Sequence, residues 1–350
     1  MKKVGLGIVG LLGHAGSHLK ICEKLKDVKF VAGCDKSAAG RKRGARAGMT
    51  VYSDIKEMLK HEKLAAVIIS TPNFTHKDIS IACLKAGVKV FCEKPMAHTL
   101  ADCKAMAAAA NKYKGFLQIG FELRTCPVML HIKKMVDGGA IGEVKNIHFF
   151  QTPGLKKKGW KLDPKRSGGL FIEKLCHQVD LFRYFLGEPK SVQVFMAQNT
   201  VPSYGIMDNC YAVLEFGKGR LAQISFLSGL AAVKKGMKNS DYSKMGHGLR
   251  FDFIGTKGSI SYNYWEKSVS VTKLVKEKGG SHKVALVSKK IFKNLTPEEL
   301  YENLVFQDTD FIRRVKEGKK ENFSGADSLK TMQVAFACEE SAKKRKKVLL

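Results

Sequence analysis

The sequence predicts an α/β chain whose first third alternates strand and helix, the pattern of a parallel sheet covered by helices. Two observations carry this. Short apolar, β-favouring runs recur at residues 4–10, 28–35, 65–73, 88–95 and 116–122. Between them lie segments with apolar residues at helical spacing, at 17–26, 54–60, 76–87 and 98–113. A third observation, the glycine pattern Gly10-x-x-Gly13-x-x-Gly16 after the first strand, gives the sheet a use.

Each element has its own reason. Residues 4–10 (VGLGIVG) end in glycine, and Leu19, Cys22 and Leu25 stripe the helix that follows. Residues 28–35 (VKFVAGCD) finish on Asp35. Residues 65–73 (AAVIISTPN) break at Pro72, and residues 76–87 close on Gly87. Residues 88–95 (VKVFCEKP) stop at Pro95. Thr99 is placed as the N-cap of residues 98–113, with Asp102 three residues on.

The first twenty residues also fit a secretion signal, with Met1, Lys2 and Lys3 as its basic head. That reading removes the first strand and leaves the following helix without a partner for its apolar stripe. The glycine turn is therefore expected to hold a phosphate. It is one residue longer than the common G-x-G-x-x-G fingerprint. Gly10 allows a sharp exit from the strand, Gly13 a close approach of pyrophosphate, and Gly16 close packing of the helix on the sheet. Asp35 lies where a ribose-binding acid belongs. Its charge repels a 2′-phosphate and favours NAD, while Lys36, Arg41, Lys42 and Arg43 keep NADP as the alternative.

Composition bounds the rest. The 350 residues suit two domains. Nine scattered cysteines without a CxxC pair fit reduced thiols and a cytoplasmic setting, with no metal site. No apolar run reaches the roughly 18–20 residues a bilayer span requires, so no membrane partner is expected. Lys and Arg number 61 against 32 Asp and Glu, a formal charge of +29. The lysines are spread through the chain and no nucleic-acid-binding spacing appears. A solvated basic surface is expected, with no specific nucleic acid.

Chemistry concentrates in two stretches. Glu93-Lys94-Pro95 falls at a strand end, where parallel sheets bind ligands. Residues 170–186, after the flexible lead-in Ser167-Gly168-Gly169, read as one helix ended by Gly187. On it Glu173, His177 and Asp180 share a face, the parts of a general base and its orienters. The two carboxylates would raise the imidazole's pKa.

The glycine turn, Asp35, STPNFTH (70–76), EKP (93–95) and GGLFIEKLCHQVD (168–180), in this order, resemble the glucose–fructose oxidoreductase / inositol dehydrogenase / rhizopine-catabolism (Gfo/Idh/MocA) family. GFELRTCP (120–127), DGGAIGEVKNIHF (137–149) and GTKGSISY (255–262) extend the likeness along nearly the whole chain. The resemblance implies a Rossmann domain over 1–124. It implies an α/β domain over 125–350, built on a large, mostly antiparallel sheet that forms a homo-oligomer. Strand-like runs at 144–151, 190–197, 209–216, 219–227, 249–255 and 258–263 suit that sheet.

It further implies hydride transfer at a secondary alcohol of a sugar or cyclitol. Cofactor contacts then fall to Gly10, Leu12, Gly13, His14, Ala15, Gly16, Asp35, Lys36, Ser70, Thr71, Pro72, Asn73, His76, Glu93 and Lys94. Substrate contacts fall to Lys94, Arg124, Trp160, Glu173 and His177. Lys94 is the lysine that steadies the hydroxyl, and His177 the base that takes its proton. The two are expected to meet over the nicotinamide. Glu173 departs from the aspartate common in the family, and Lys174 beside it is a cation for an acidic substrate. Two other classes stay open: a redox-elimination enzyme on a sugar, and a dinucleotide-sensing regulator. Residues 154–166 and 228–247 are the expected substrate determinants.

Overall fold

In the computed structural model, residues 3–152, 159–199, 205–228, 248–296 and 299–350 are described. The expected determinants at 154–158 and 229–247 lie outside them.

The chain divides into two compact units. The first comprises Met1–Glu122, Lys165–Gly168 and Leu304–Gln333; the second comprises Leu123–Pro164, Gly169–Asn303 and Val334–Leu350. This differs from a single cut at 124/125, because a late segment returns to the first unit.

The first unit holds a six-stranded sheet: β1 (Val4–Val9), β2 (Val28–Cys34), β3 (Thr50–Tyr52), β4 (Ala66–Ile69), β5 (Lys89–Cys92) and β6 (Leu117–Ile119). Its order is β3-β2-β1-β4-β5-β6, and every pairing is parallel. The helices are α1 (Ala15–Glu23), α2 (Ala38–Arg46), α3 (Ile55–His61), α4 (His76–Lys85) and α5 (Leu100–Lys112). Thr99 caps α5 as expected, accepting from the Asp102 N–H. α2 and β3 carry no local periodic signal and were not expected. α2 reads AAGRKRGAR and lacks an apolar stripe; Ser37 caps it, and Gly44 lies under Leu11 and Val51.

Leu6, Ile8, Ala66, Ile68 and Phe91 form the apolar centre of this unit, and Phe311 and Ile312 join them. Those two belong to a late helix described below. The Phe311 ring lies 5.4 Å from Phe91 and 5.7 Å from Phe116. Burial of such rings is what brings residues 304–333 back to the first sheet.

The second unit holds α6 (Pro127–Asp137) and β7 (Val144–Thr152). After the short α7 (Pro164–Ser167) come α8 (Leu170–Glu173), α9 (Cys176–Leu186), β8 (Pro189–Met196), β9 (Asn209–Phe216) and β10 (Arg220–Leu227). Then follow β11 (Gly248–Gly255), β12 (Gly258–Asn263), β13 (Ser268–Lys276) and β14 (His282–Ile291). The chain closes with α10 (Leu304–Glu317), which carries Phe311 and Ile312, then α11 (Gly325–Lys344) and β15 (Val348–Leu349). The nine strands form one sheet, β14-β13-β12-β11-β7-β10-β9-β8-β15, antiparallel except for β7 beside β10. All six expected strands are there. One face is buried through alternate residues such as Ala212, Leu214, Ile224, Phe251 and Phe253. The other presents Phe195, Tyr211, Val213 and Ile254 exposed.

The single helix expected over 170–186 is two. α8 ends at Glu173, Lys174 leaves helical geometry at φ −119°, and α9 starts at Cys176. The lead-in follows a left-handed path open to glycine. Gly168 and Gly169 have φ of +91° and +109°. A Cβ on Gly169 would lie 2.5 Å from the Glu339 carboxylate, which accepts the Phe171 N–H.

Candidate functional site

In the first unit the sheet order sets the geometry. β1 pairs with β2 on one side and β4 on the other, so the strand order reverses between β1 and β4. In an open parallel sheet ligands bind beyond the carboxyl ends at such a reversal. Four stretches leave those ends side by side: Gly10–Gly16 after β1, Asp35 after β2, Ser70–Asn73 after β4, and Glu93–Pro95 after β5.

The turn fits a dinucleotide phosphate. Gly10 has φ +82°, and a Cβ there would meet the Ser70 carbonyl oxygen at 2.6 Å. Gly13 has φ +59° with open space where a Cβ would stand, so its backbone is approachable. Leu12 and His14 are exposed, and Ala15 is buried at the head of α1. Ser37, Asp54 and Thr99 cap α2, α3 and α5, whereas no side chain caps α1. Within that turn the Gly16 and Ser17 N–H groups already bond the Gly13 and His14 carbonyls, so an anion would be met by the N–H groups ahead of them. Gly16 acts differently from expectation. Its missing Cβ makes room for the Arg43 guanidinium, not for the sheet, and Arg43 also donates to the Leu11 carbonyl at 3.1 Å.

Asp35 is engaged with the turn itself. Its Oδ2 accepts the Leu11 N–H at 2.8 Å, and its Oδ1 accepts the N–H and hydroxyl of Ser37. A carboxylate offers about four acceptor positions. Three are filled, which leaves one on Oδ2 for a ribose hydroxyl. Arg41 donates to the carbonyls of Asp35 and Lys36, so that guanidinium is tied to the strand end. Lys36 is exposed.

Beyond β4, Thr71 Oγ1 accepts from the Thr75 hydroxyl, and Asn73 donates to the Ser167 carbonyl. His76 is fully buried, with its ring nitrogens 2.9 Å from the carbonyls of Thr71 and Pro95. Burial pushes its pKa below the ordinary imidazole value. A neutral ring carries one N–H, so His76 donates to one of these carbonyls and packs against the other, between the 70–73 and 93–95 stretches.

Glu93 has a partner that sequence reasoning missed. His18, in α1, is fully buried, with Nε2 3.0 Å from Glu93 Oε1 and Nδ1 3.0 Å from both oxygens of Asp308. Burial alone would lower the His18 pKa; Asp308 first and Glu93 second outweigh it and hold the ring well above the ordinary range. Burial would raise Glu93, and His18 overrides it, so this carboxyl stays below the usual range. The only sequence signal was an apolar helix face carrying one histidine.

In the second unit, His177 and Glu173 are buried. The break at Lys174 separates the two, so they do not ride one continuous helix. Asp180 is gripped by Arg124, whose Nε and Nη2 donate to its two oxygens. Arg124, expected on substrate, thus anchors α9, and Asp180 serves that ion pair. Glu173 Oε1 lies 3.4 Å from Lys161 Nζ, an unforeseen partner. Lys161 also lies 5.8 Å from the centre of the Trp160 ring. Lys174 turns instead to the Tyr301 ring, 5.9 Å away.

These features define a dinucleotide-binding oxidoreductase, and comparison with known proteins fixes its kind. An NAD-binding Rossmann-fold model of the Gfo/Idh/MocA oxidoreductases matches residues 4–121, and their C-terminal alpha/beta-domain model matches residues 133–350. The chain belongs to this oxidoreductase family, and its cofactor is NAD. It is 27% identical over 355 residues to a myo-inositol 2-dehydrogenase of Thermotoga maritima, covering 99% of this chain and 98% of that one. It is 28% identical to a 2,7-anhydro-N-acetylneuraminate hydratase of Mediterraneibacter gnavus, over 62% of each chain. The crystal structure of myo-inositol 2-dehydrogenase from Lactobacillus plantarum superposes with a TM-score of 0.80 at 25% identity, covering all of both chains. No helix among the described residues is long and apolar enough to cross a membrane.

The buried charges make stability depend on pH. His18 has a folded pKa above its ordinary 6.5, so its contribution is full below about pH 6.5 and is lost as pH rises through the folded value. Glu93 has a folded pKa below 4.5, so its contribution is present above about pH 4.5 and is lost as pH falls through the folded value. Urea unfolding of the wild type should therefore show stability declining on the alkaline side. His18→Asn should be less stable at pH 6 and show a shallower alkaline decline. Equal pH slopes in the two proteins would contradict the assignment.

Proposed function

We propose that the chain is an NAD-dependent dehydrogenase of a sugar, sugar derivative or cyclitol, oxidising a secondary hydroxyl. The observation that carries this reading is the placement of Lys94 at the carboxyl end of β5, on the same sheet edge as the glycine turn and Asp35. Bound NAD supplies the hydride acceptor. The Lys94 ammonium steadies the substrate oxygen as its charge changes. His177 takes the hydroxyl proton, and burial limits its exchange with bulk water. Glu173, held by Lys161, is a second polar contact for hydroxyl groups. The near full-length likeness to a myo-inositol 2-dehydrogenase supports a cyclitol as the first compound to test.

A second reading is redox-elimination, in which the same groups oxidise a sugar carbon transiently and a neighbouring bond breaks. The likeness to a hydratase of an anhydro sugar favours keeping it. Net NADH formation separates the two, because elimination returns the hydride.

We also infer that the chain forms homo-oligomers through the outer face of the nine-stranded sheet, where Phe195, Tyr211 and Val213 stand exposed in adjacent strands. Sedimentation of the full chain decides this; a monomer at micromolar concentration would contradict it.

A screen of inositols, sugars, uronic acids and sugar phosphates, read by absorbance of reduced cofactor with NAD and NADP in parallel, tests the main reading. On the substrate found, His177→Ala should lose about 10²–10⁴-fold in turnover, the usual worth of a positioned general base, while still binding NAD. Lys94→Ala should fall similarly and also raise KM. Glu173→Asp should be milder than Glu173→Ala. Near-normal turnover in His177→Ala or Lys94→Ala would sink the assignment.

A further inference from the structure

Three ionisable side chains from three distant parts of the first unit meet in its buried interior. His18 and Asp308 have no exposed surface, and Glu93 has 5%. The imidazole bridges the two carboxylates with contacts of 3.0 Å on each side. Burying three charges is costly unless geometry and hydrogen bonds compensate, and apolar residues of similar size often do better. The arrangement is therefore a poor way to gain stability alone, and its location matters.

His18 is the fourth residue of α1, the helix that opens at the glycine turn. Glu93 directly precedes Lys94. Its other oxygen, Oε2, accepts the Lys94 backbone N–H at 3.2 Å. Gly120 lies against both Glu93 oxygens, at 3.4 Å from where its Cβ would be, so a larger residue there would crowd the carboxylate. The Phe91 ring stands edge-on to His18 at 5.7 Å and closes that side. Among the described residues, the other charged or titratable groups that face the cluster are His14 and Cys22 of α1, His76 of α4, Cys92 of β5 and Lys94 itself. Asp308 and Glu93 are anions and His18 a cation, so the three carry one net negative charge beside the Lys94 ammonium.

We propose that His18 is a positioning residue for Lys94: clamped between Asp308 and Glu93, it keeps the Glu93 carboxylate ionised and fixed behind the lysine, and so sets that lysine's orientation and charge. The proposal rests on the reading that Lys94 serves the hydride-transfer site, and adds to it a chain of contacts running from α10 through α1 to the strand end. Without the imidazolium, Glu93 is a carboxylate in an apolar surround. Burial then favours its protonated form, and Lys94 loses the charge of the adjacent carboxylate.

The test reads the charges directly and needs no substrate. In the wild type, ¹⁵N shifts of the His18 ring should report an imidazolium from pH 5.5 to 8. A ring that titrates near 6.5, or is neutral throughout, overturns the proposal whether or not any variant folds. The Lys94 amine is followed by ¹³C-methyl labelling, its signal assigned by loss in Lys94→Arg. Its pKa should fall by about one unit, a tenfold change in the protonation equilibrium, in both Glu93→Gln and His18→Asn. Asp308→Asn, which keeps the shape, should lower the His18 pKa and move Lys94 part of the way. NAD affinity by calorimetry should stay within threefold in His18→Asn and Asp308→Asn, since the glycine turn and the strand ends are intact in both. An unchanged Lys94 titration in the folded variants would reduce His18 to a packing role. That failure is separate from failure of the site reading, which would appear as normal turnover in Lys94→Ala.

Discussion

Parallel alignment of neighbouring strands is the constraint on which the first unit depends. Because β2, β1, β4 and β5 are adjacent and point the same way, the residues that follow each of them emerge on one edge. No side chain needs to be brought from far away to build the dinucleotide site. The apolar centre of Leu6, Ile8, Ile68 and Phe91 holds the strands in register, and the polar chemistry begins where the strands stop. The left-handed geometry of Gly10 and the approachable backbone of Gly13 are local consequences of that edge.

The edge is then stiffened by polar contacts between its parts. Asp35 accepts from Leu11, so the end of β2 is tied to the glycine turn. His76 is buried between the stretch after β4 and the one after β5 and donates to a carbonyl of one of them. His18 joins α1 to Glu93 and to α10. Buried polar groups of this kind are costly when unmatched and directional when matched. They fix angles that an apolar core leaves free. The second unit shows the same economy in the grip of Arg124 on Asp180 and of Glu339 on the start of α8.

Much of this was legible in the sequence, for a physical reason. Strands, caps and glycine turns are local, so β1, β2, β4, β5, the Thr99 cap and the position of Asp35 could be read from neighbours in the chain. The contacts that were missed are long-range. His18 and Asp308 are 290 residues apart, and Phe171 and Glu339 are 168 apart. No period or motif connects them. The break between α8 and α9 was hidden because Leu170–Leu186 is apolar at spacings that fit one helix; the irregularity lies at Lys174 and Leu175, whose N–H groups both bond the Leu170 carbonyl. Gly16 was misread because Arg43 reaches it from another helix. α2 was invisible because a cap and two glycines, rather than an apolar stripe, hold it. β13 and β14 were missed because their outer residues, such as Val284 and Leu286, are exposed and obscure the alternation.

The central claim is that four strand ends of one parallel sheet act as a single NAD site. Hydrogen–deuterium exchange with and without NAD measures it most directly. The account predicts slower exchange, on adding NAD, in peptides covering residues 10–18, 35–41, 70–76 and 93–96 together, with the ends of β3 and β6 little changed. Protection confined to one of these stretches, or falling instead on the nine-stranded sheet, would contradict it.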